Sequence, residues 1–287
     1  MTLHANTARR IASQLGLETD RLNSRPVGGG SIAEAVELVA GSTRTFVKTV
    51  PAGKAGVLAA ECDGLGALAA AGAVRVPAVL GHGEVHGLAW LALEYLDLKA
   101  RGAVTDAALG HELANLHRAS GPAFGWHSDN YIGLTPQANA FGEDWCRFFR
   151  DQRLASQLAL LRRRHPEACA DIDAVLRSWE RRAGSHRPPA SLLHGDLWSG
   201  NAAGLPDGQP VIYDPAVHYG DRECDLAMAA MFGGFSPAFF RAYDSAWPLP
   251  DGWQERRRWY QLYHLLNHAN LFGGSYARQV KQELNRL

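Results

Sequence analysis

Residues 192–214 read LLHGDLWSGNAAGLPDGQPVIYD. Leu192-Leu193 and Val211-Ile212-Tyr213 are short apolar runs bounded by turn residues, and both read as strands. Asp196 and Asn201 stand five residues apart in the loop after the first run, and Asp214 ends the second, eighteen residues beyond Asp196. Phosphoryl transfer needs such a set: one carboxylate to orient the attacking hydroxyl, and hard oxygen ligands for the Mg²⁺ that neutralises the phosphates. Strand ends hold these groups rigidly while the loop exposes them. Asp196 is therefore the candidate catalytic residue, accepting the hydroxyl proton, and Asn201 and Asp214 are the candidate metal ligands. His-Gly-Asp by itself is no more than a tight turn; the spaced set carries the reading. His194 is expected to brace the loop rather than to carry a proton.

Upstream, Lys48 sits in TFVKTV, on the same strand face as Phe46 and Val50. An ammonium among apolar neighbours either snorkels out at an edge or meets a buried anion. Glu61 is the expected partner, because it falls between Leu58 and Leu65 on the inward stripe of the next helix. A strand lysine paired with a helix glutamate is how protein kinases hold the α- and β-phosphates. Gly28-Gly29-Gly30-Ser31 precedes the first strand of the hairpin, where backbone N–H groups can approach phosphates closely. The G-x-G-x-x-G spacing is only partly met, since Ala33 occupies its last position. Glu94, Tyr95 and Leu96 follow an apolar strand at the expected lobe junction, where backbone groups could bond an adenine edge. ATP and Mg²⁺ are the expected cofactors.

Around these residues the pattern is α+β. Residues 33–39 and 44–50 read as a hairpin turning at Gly41-Ser42-Thr43, a helix covers about 57–71, and two more strands cover 74–80 and 88–94. Beyond a link at Tyr95-Leu96-Asp97 the chain turns helical. One helix, capped by Thr105, carries Leu109, Leu113 and Leu116, longer ones cover about 141–164 and 167–183, and helices dominate from Asp221 onward. The expected division is a small β-rich N-lobe, residues 1–94, and a larger α-helical C-lobe, residues 95–287. With 29 basic and 29 acidic residues the net charge is zero, so neither a nucleic-acid nor a membrane-surface partner is suggested. Cys62, Cys146, Cys169 and Cys224 show no CxxC spacing, which argues against a disulfide framework or a zinc site and fits a reducing cytosol. The first residues lack the apolar core of a signal peptide, and Ile11 and Leu15 suggest a short amphipathic helix. A cytoplasmic protein is expected.

These motifs together resemble the fructosamine kinase (ketosamine-3-kinase) family. The resemblance rests on LLHGDLWSGN, on YDPAVHYGDRECDLAMAAMFGG, on the FVK strand, on FGWHSDNYIG with the following QAN and DWCRFF, and on LYHLLNHANLFGGSY, and it spans about residues 8–280. It implies a bilobal protein-kinase-like fold, shared with aminoglycoside phosphotransferases and choline kinases. The implied activity is ATP-dependent phosphorylation of a sugar hydroxyl, O3 in the family, on a sugar joined as a ketoamine to an amine. The substrate is then a small ketosamine or a glycated lysine, and the role is repair of glycation. Carried over by position, Asp196 accepts the proton, Asn201 and Asp214 bind magnesium, and Lys48 with Glu61 holds the phosphates. Gly28 to Ser31 cover the nucleotide, and Glu94, Tyr95 and Leu96 form its hinge. The chain departs from some members in being compact between Leu96 and Phe124, and in having Ser31 where some carry cysteine. Trp198 should border the acceptor, where an indole stacks on a sugar or attracts a cationic amine. His218, Tyr219, His268 and Asn270 come from segments that the family fold places near the cleft. His264, Asn267, His268 and Asn270 form a polar stripe that either faces that cleft or satisfies itself inside the lobe. Two other readings stay open: a kinase for another small alcohol or an aminoglycoside, and a nucleotide-binding pseudokinase, against which the presence of Lys48, Asp196, Asn201 and Asp214 speaks.

Overall fold

The computed structural model describes residues 3–28, 33–169 and 171–286. Helix α1 (Ala5–Gln14) precedes an antiparallel sheet of β1 (Leu22–Val27), β2 (Glu34–Ala40), β3 (Thr43–Pro51), β4 (Val79–Val85) and β5 (Leu88–Glu94), in the order β1-β2-β3-β5-β4. The β2–β3 hairpin closes at Gly41, whose φ of 60° lies in the left-handed region that glycine enters without a Cβ clash. Helix α2 (Ala55–Ala71) follows β3 and covers one sheet face.

Side chains alternate across the sheet with the period of two that a strand imposes. Val47 turns to the α1 side, with Ile11, Leu38 and Trp90. Val50 and Phe46 turn to the α2 side, with Leu58, Leu65 and Leu68. Lys48 shares this second face, as the alternation predicts.

Two strands differ from expectation. The strand expected at 74–80 begins only at Val79, because Pro77 lacks the N–H a ladder needs; residues before it run irregularly, with one bridge from Arg75 to Val211. Strand β1 was not expected at all. Its polar LNSRPV sequence forms one edge of the sheet, where an unpaired side tolerates proline.

Beyond the sheet come α3 (Ala103–His117), the small hairpin of β6 (Asn130–Ile132) and β7 (Thr135–Gln137), and α4 (Trp145–Phe148). Helix α4 runs through a π-helical stretch, Phe149–Ala155, into α5 (Ser156–Arg164), followed by α6 (Ile172–Ala183). Strands β8 (Ser191–Leu193), β9 (Ala202–Gly204), β10 (Pro210–Ile212) and β11 (His218–Gly220) pair as β11-β8 and β10-β9. The chain closes with α7 (Glu223–Met231), α8 (Pro237–Ala246), α9 (Trp253–Phe272) and α10 (Gly274–Leu284). Gly102, not Thr105, caps α3; Thr105 is buried within its first turn. Helices α3 and α8 approach so closely that a Cβ on Gly110 would lie 2.3 Å from the carbonyl oxygen of Phe239, so only glycine fits there.

The cores explain how the site is held. Leu192 of β8 and Ile212 of β10 pack in one cluster with Leu109 and Leu113 of α3, Leu65 of α2 and Leu91 of β5. The strands that carry Asp196 and Asp214 are thereby seated in the same close-packed core as the helix that carries Glu61. A second cluster joins Phe149, Trp179, Tyr260 and Leu266 beneath the loop. Among the described residues no helix is long and apolar enough to cross a membrane.

Candidate active site

The loop after β8 is fixed from within. His194 is fully buried; its Nδ1 accepts the Asp196 N–H at 3.2 Å and its Nε2 lies 3.0 Å from the Tyr213 carbonyl oxygen, to which it donates. Burial pushes its pKa down, so the ring stays neutral and braces the loop as expected. From below, Asp225 of α7 accepts the N–H groups of His194 and Gly195, both at 2.8 Å, and contacts His117 Nε2 at 3.1 Å. Burial raises the Asp225 pKa, but the bonds from His117 and Gly195 outweigh it and hold the carboxyl below its ordinary value. Gly195 has a φ of 83°, and a Cβ there would meet the Ala216 carbonyl oxygen at 2.1 Å. On the other side Arg101 donates to the carbonyl oxygens of Ser199 (3.1 Å) and Gly234 (2.8 Å), and its charge is met by Asp106 at 2.8 Å. Asp225, His117 and Arg101 were not singled out in the sequence. The signal for Asp225 was an acid in the first turn of the helix ECDLAMAAM, which is apolar from Leu226 onward.

The structure brings the central candidates together. Asn201 donates its amide to the Asp196 carbonyl oxygen (2.9 Å), to Asp196 Oδ2 (3.3 Å) and to the Asp214 carbonyl oxygen (3.4 Å). Lys48 Nζ lies 2.7 Å from Glu61 Oε1 and also donates to Asp214 Oδ1. Burial lowers the Lys48 pKa, but the two carboxylates outweigh it and the net shift is upward, so the ammonium stays charged. Burial pushes Glu61 up against the pull of Lys48. Asp214 adopts a left-handed φ of 58°, a conformation that aspartate tolerates better than most residues. Burial, then the negative charges of Asp214 and Asp225, raise Asp196 to about 7, with Asn201 acting against them. A carboxylate titrating near neutrality suits the transient acceptance of a proton.

Other candidates fall in different surroundings. Gly28 ends its described segment, and Gly29, Gly30 and Ser31 lie outside the described residues. Glu94 spends its side chain on Arg75 at 2.5 Å, and its N–H bonds the Ala78 carbonyl oxygen at 2.8 Å. Tyr95 lies under the Arg44 guanidinium, 3.8 Å from its ring centre, and Leu96 accepts the Leu98 N–H. Trp198 is 39% exposed, with its ring folded over Gly200. Tyr219 sits against Trp126, 5.3 Å between ring centres. His268 is half-buried among Phe232, Phe272 and Tyr276, with Nδ1 on the His264 carbonyl oxygen.

Two members of the expected substrate set are engaged in packing instead. Asn270 is buried and donates its amide to Gln157, at 3.0 Å to the carbonyl and 2.7 Å to the side-chain oxygen, tying α9 to α5. His218 is buried in β11, with Nδ1 against the Ala216 carbonyl oxygen. Asn267 likewise donates to the Ile132 carbonyl oxygen, and His264 is buried, so most of the polar stripe on α9 faces the protein interior.

This interior placement predicts acid lability. Burial pushes His218 and His264 each to about 3, assisted by the nearby Arg153 and, for His264, by His268. The fold therefore prefers both rings neutral, whereas the unfolded chain takes up their protons near the ordinary value. Stability is full above the unfolded pKa of roughly 6.5 and falls as pH drops below it, by about 1.4 kcal/mol per pH unit per ring. Urea unfolding at pH 7.5 and 5.5 should differ by about 3 kcal/mol from this pair. Because the raised carboxyl of Asp196 acts in the opposite direction over this range, the pair is isolated by substitution. Replacing either ring with an uncharged side chain should remove about half of the pair's contribution, and a pH dependence unchanged in both variants would show that these rings protonate without cost.

The donor set fits a small hard cation. With its amide nitrogen committed, Asn201 has Oδ1 as an acceptor taking no hydrogen bond among the described residues, and the Asp214 side chain is 43% exposed. Two oxygens of this kind match magnesium, which keeps several waters and takes few protein ligands.

Known proteins share both the sequence and the shape. The family model described as fructosamine kinase matches residues 3–287. A Synechocystis protein named a probable ketoamine kinase is 43% identical over 280 residues, covering 97% of this chain and 95% of its own. A solved structure from Haemophilus somnus carrying the fructosamine-3-kinase name superposes with a TM-score of 0.89 at 28% identity, covering 97% of this chain and 95% of its own. One from Thermobifida fusca, named likewise, gives 0.83 at 31% identity, covering 96% and 98%. A sheet-then-helix architecture of protein-kinase-like form, a lysine held between Glu61 and Asp214, and a match over nearly the whole length lead to one assignment: the chain belongs to the fructosamine kinase family.

Proposed function

We propose that the protein is an ATP-dependent kinase that phosphorylates a sugar hydroxyl, O3 by family resemblance, of ketosamines, whether small or carried on a lysine. The observation that carries this reading is the bridge made by Asn201, whose amide spans Asp196 and the backbone of Asp214 while Lys48 joins Asp214 to Glu61. An acid-base group and a phosphate-holding cation thus converge on one aspartate.

In this reading Asp196 orients the acceptor hydroxyl. Its oxygen forms a bond to the γ-phosphorus as the bond to the β,γ-bridging oxygen breaks; ADP leaves and the hydroxyl proton passes to Asp196. Lys48, kept charged by its two carboxylates, holds the α- and β-phosphates. Asn201 and Asp214 would hold Mg²⁺, which supplies charge neutralisation at the transferring phosphates. Residues 1–94, with the glycine loop at 28–31, would cover the nucleotide, and Glu94 to Leu96 would line its adenine. Residues 95–287 would carry catalysis and the acceptor, with Trp198 at its edge and His268 and Tyr219 farther out. A reducing, cytoplasmic setting, the one the cysteine spacing suggests, completes the reading.

A turnover assay with Mg·ATP across fructose-, ribulose- and erythrulose-derived ketoamines of one amine, beside free sugars and aminoglycosides, tests the reading. Phosphorylated ketoamine should form at least about tenfold faster than any other product, the discrimination expected where site groups are built for a polar substituent. Preference for an acceptor without the ketoamine would leave a kinase with a different substrate. ATP consumption with no acceptor phosphorylated would leave neither.

A further inference from the structure

The stretch FGWHSDNYIG, residues 124–133, takes no part in the chemistry above, yet its side chains reach the helix that carries Glu61. Trp126 donates its indole N–H to Asp63 Oδ2 at 2.6 Å, and His127 Nε2 lies 3.3 Å from the same oxygen. Near the start of α2, a Cβ on Gly56 would stand 3.0 Å from the Tyr131 hydroxyl; on Gly64 it would stand 3.1 Å from both Pro215 and Val217. The helix is therefore seated at Gly56, Asp63 and Gly64.

What it is seated on leads back to Asp214. Pro215 follows that residue directly. Asn130 donates to the Val217 carbonyl oxygen at 2.7 Å, and Gln137 donates to Asn130 Oδ1 at 2.8 Å. Gly125 and Tyr219 exchange backbone hydrogen bonds of 2.9 and 2.8 Å, and the Trp126 ring packs on Tyr219. Residues 125–137 are thus pinned to the segment leaving Asp214, and Asp63 is pinned to residues 125–137.

The apolar contacts of Leu58, Leu65 and Leu68 hold α2 on the sheet, but dispersion contacts are individually weak and non-directional, and packed helices still shear past their neighbours by small amounts. A charge-assisted hydrogen bond does have one. Direction matters here because Lys48 is shared between Glu61 and Asp214. Once nucleotide and cation claim Asp214, Glu61 is the protein carboxylate left to hold the ammonium.

We propose that residues 126–131 form a brace in which Trp126, through Asp63, fixes α2 so that Glu61 keeps Lys48 aimed at the phosphates. Trp126 and Asp63 are positioning residues in this assignment, which rests on the proposed phosphate-holding role of Lys48. It gives the FGW motif a task in nucleotide binding.

Mg·ATP affinity without acceptor, measured by calorimetry, tests the brace apart from the sugar chemistry. Trp126→Phe removes the indole N–H while keeping most of the ring, and Asp63→Ala removes the acceptor at a helix position whose side chain is 41% exposed, where folding survives. Each should weaken Mg·ATP binding about tenfold, the value of one hydrogen bond to a charged group. Asp63→Asn, which keeps an acceptor oxygen, should recover to within about threefold of wild type. In a Glu61→Ala background the brace has nothing to aim, so adding Trp126→Phe or Asp63→Ala should cost no further affinity. Unchanged affinity in the single variants overturns the brace, and so does an equal loss in both backgrounds, which would mark general loosening. A wild-type protein that fails to bind Mg·ATP overturns the kinase reading and the brace together.

Discussion

Asp196→Asn should fold normally, bind Mg·ATP within about twofold of wild type and lose about 10³-fold in kcat, the range that general-base groups contribute. The substitution is nearly isosteric, and the one side-chain hydrogen bond of the Asp196 carboxylate among the described residues, from the Asn201 amide at 3.3 Å, is weak enough to be remade by rotation. What disappears is the proposed proton acceptor. The wild-type carboxyl, raised to about 7 by burial and by Asp214 and Asp225, must be deprotonated to orient and accept from a hydroxyl. Activity should therefore rise with pH and level off above this value. A cation held by Asn201 and Asp214 would move the limb downward, so an apparent pKa at or below about 7 is expected in kcat/KM. The limb should vanish from the residual activity of Asp196→Asn. Turnover within tenfold of wild type, or an unchanged pH limb in the variant, would remove Asp196 from the reaction.

Asp225→Ala should destabilise the protein by about 4 kcal/mol, the usual cost of uncovering buried partners of a charged group. Deleting this carboxylate strands the N–H groups of His194 and Gly195 and leaves His117 Nε2 without its acceptor, all in the interior. For a chain of this size the loss corresponds to a fall in melting temperature of about 10 °C. Turnover should fall as well, because these two N–H groups set the path of the backbone into Asp196. Asp225→Asn is expected to be nearly as damaging, since its amide turns a donor toward groups that themselves donate. Calorimetric melting within about 2 °C of wild type would show that water or a neighbour replaces the carboxylate.

Much of the site was legible along the chain because its chemistry depends on residue types at fixed spacing. Asp196 and Asn201 lie between β8 and β9 and Asp214 lies just after β10, the partner of β9 in a short hairpin, so local geometry brings them close. Lys48 could be placed on the α2 face because strand alternation leaves no other choice between Phe46 and Val50. Glu61 could be paired with it because an acid on an apolar helix stripe needs a counter-charge. Asn270 and His218 went differently for an equally physical reason. A polar side chain on a buried face reads the same whether its partner is a ligand or another side chain, and here the partners were Gln157 and the Ala216 carbonyl.

The sequence by itself determined the family and the α+β architecture, and it singled out the residues proposed to perform phosphoryl transfer, since each follows from local periodicity, residue chemistry and motif spacing. Only the tertiary structure decided how Asp196 is held. Its loop rests on Asp225 and Arg101, 29 residues downstream and 95 upstream, and the helix bearing Glu61 is seated by Trp126 and Asp63. Contacts between residues so far apart in the chain depend on how the cores of the sheet and helices pack, and no local pattern encodes that distance.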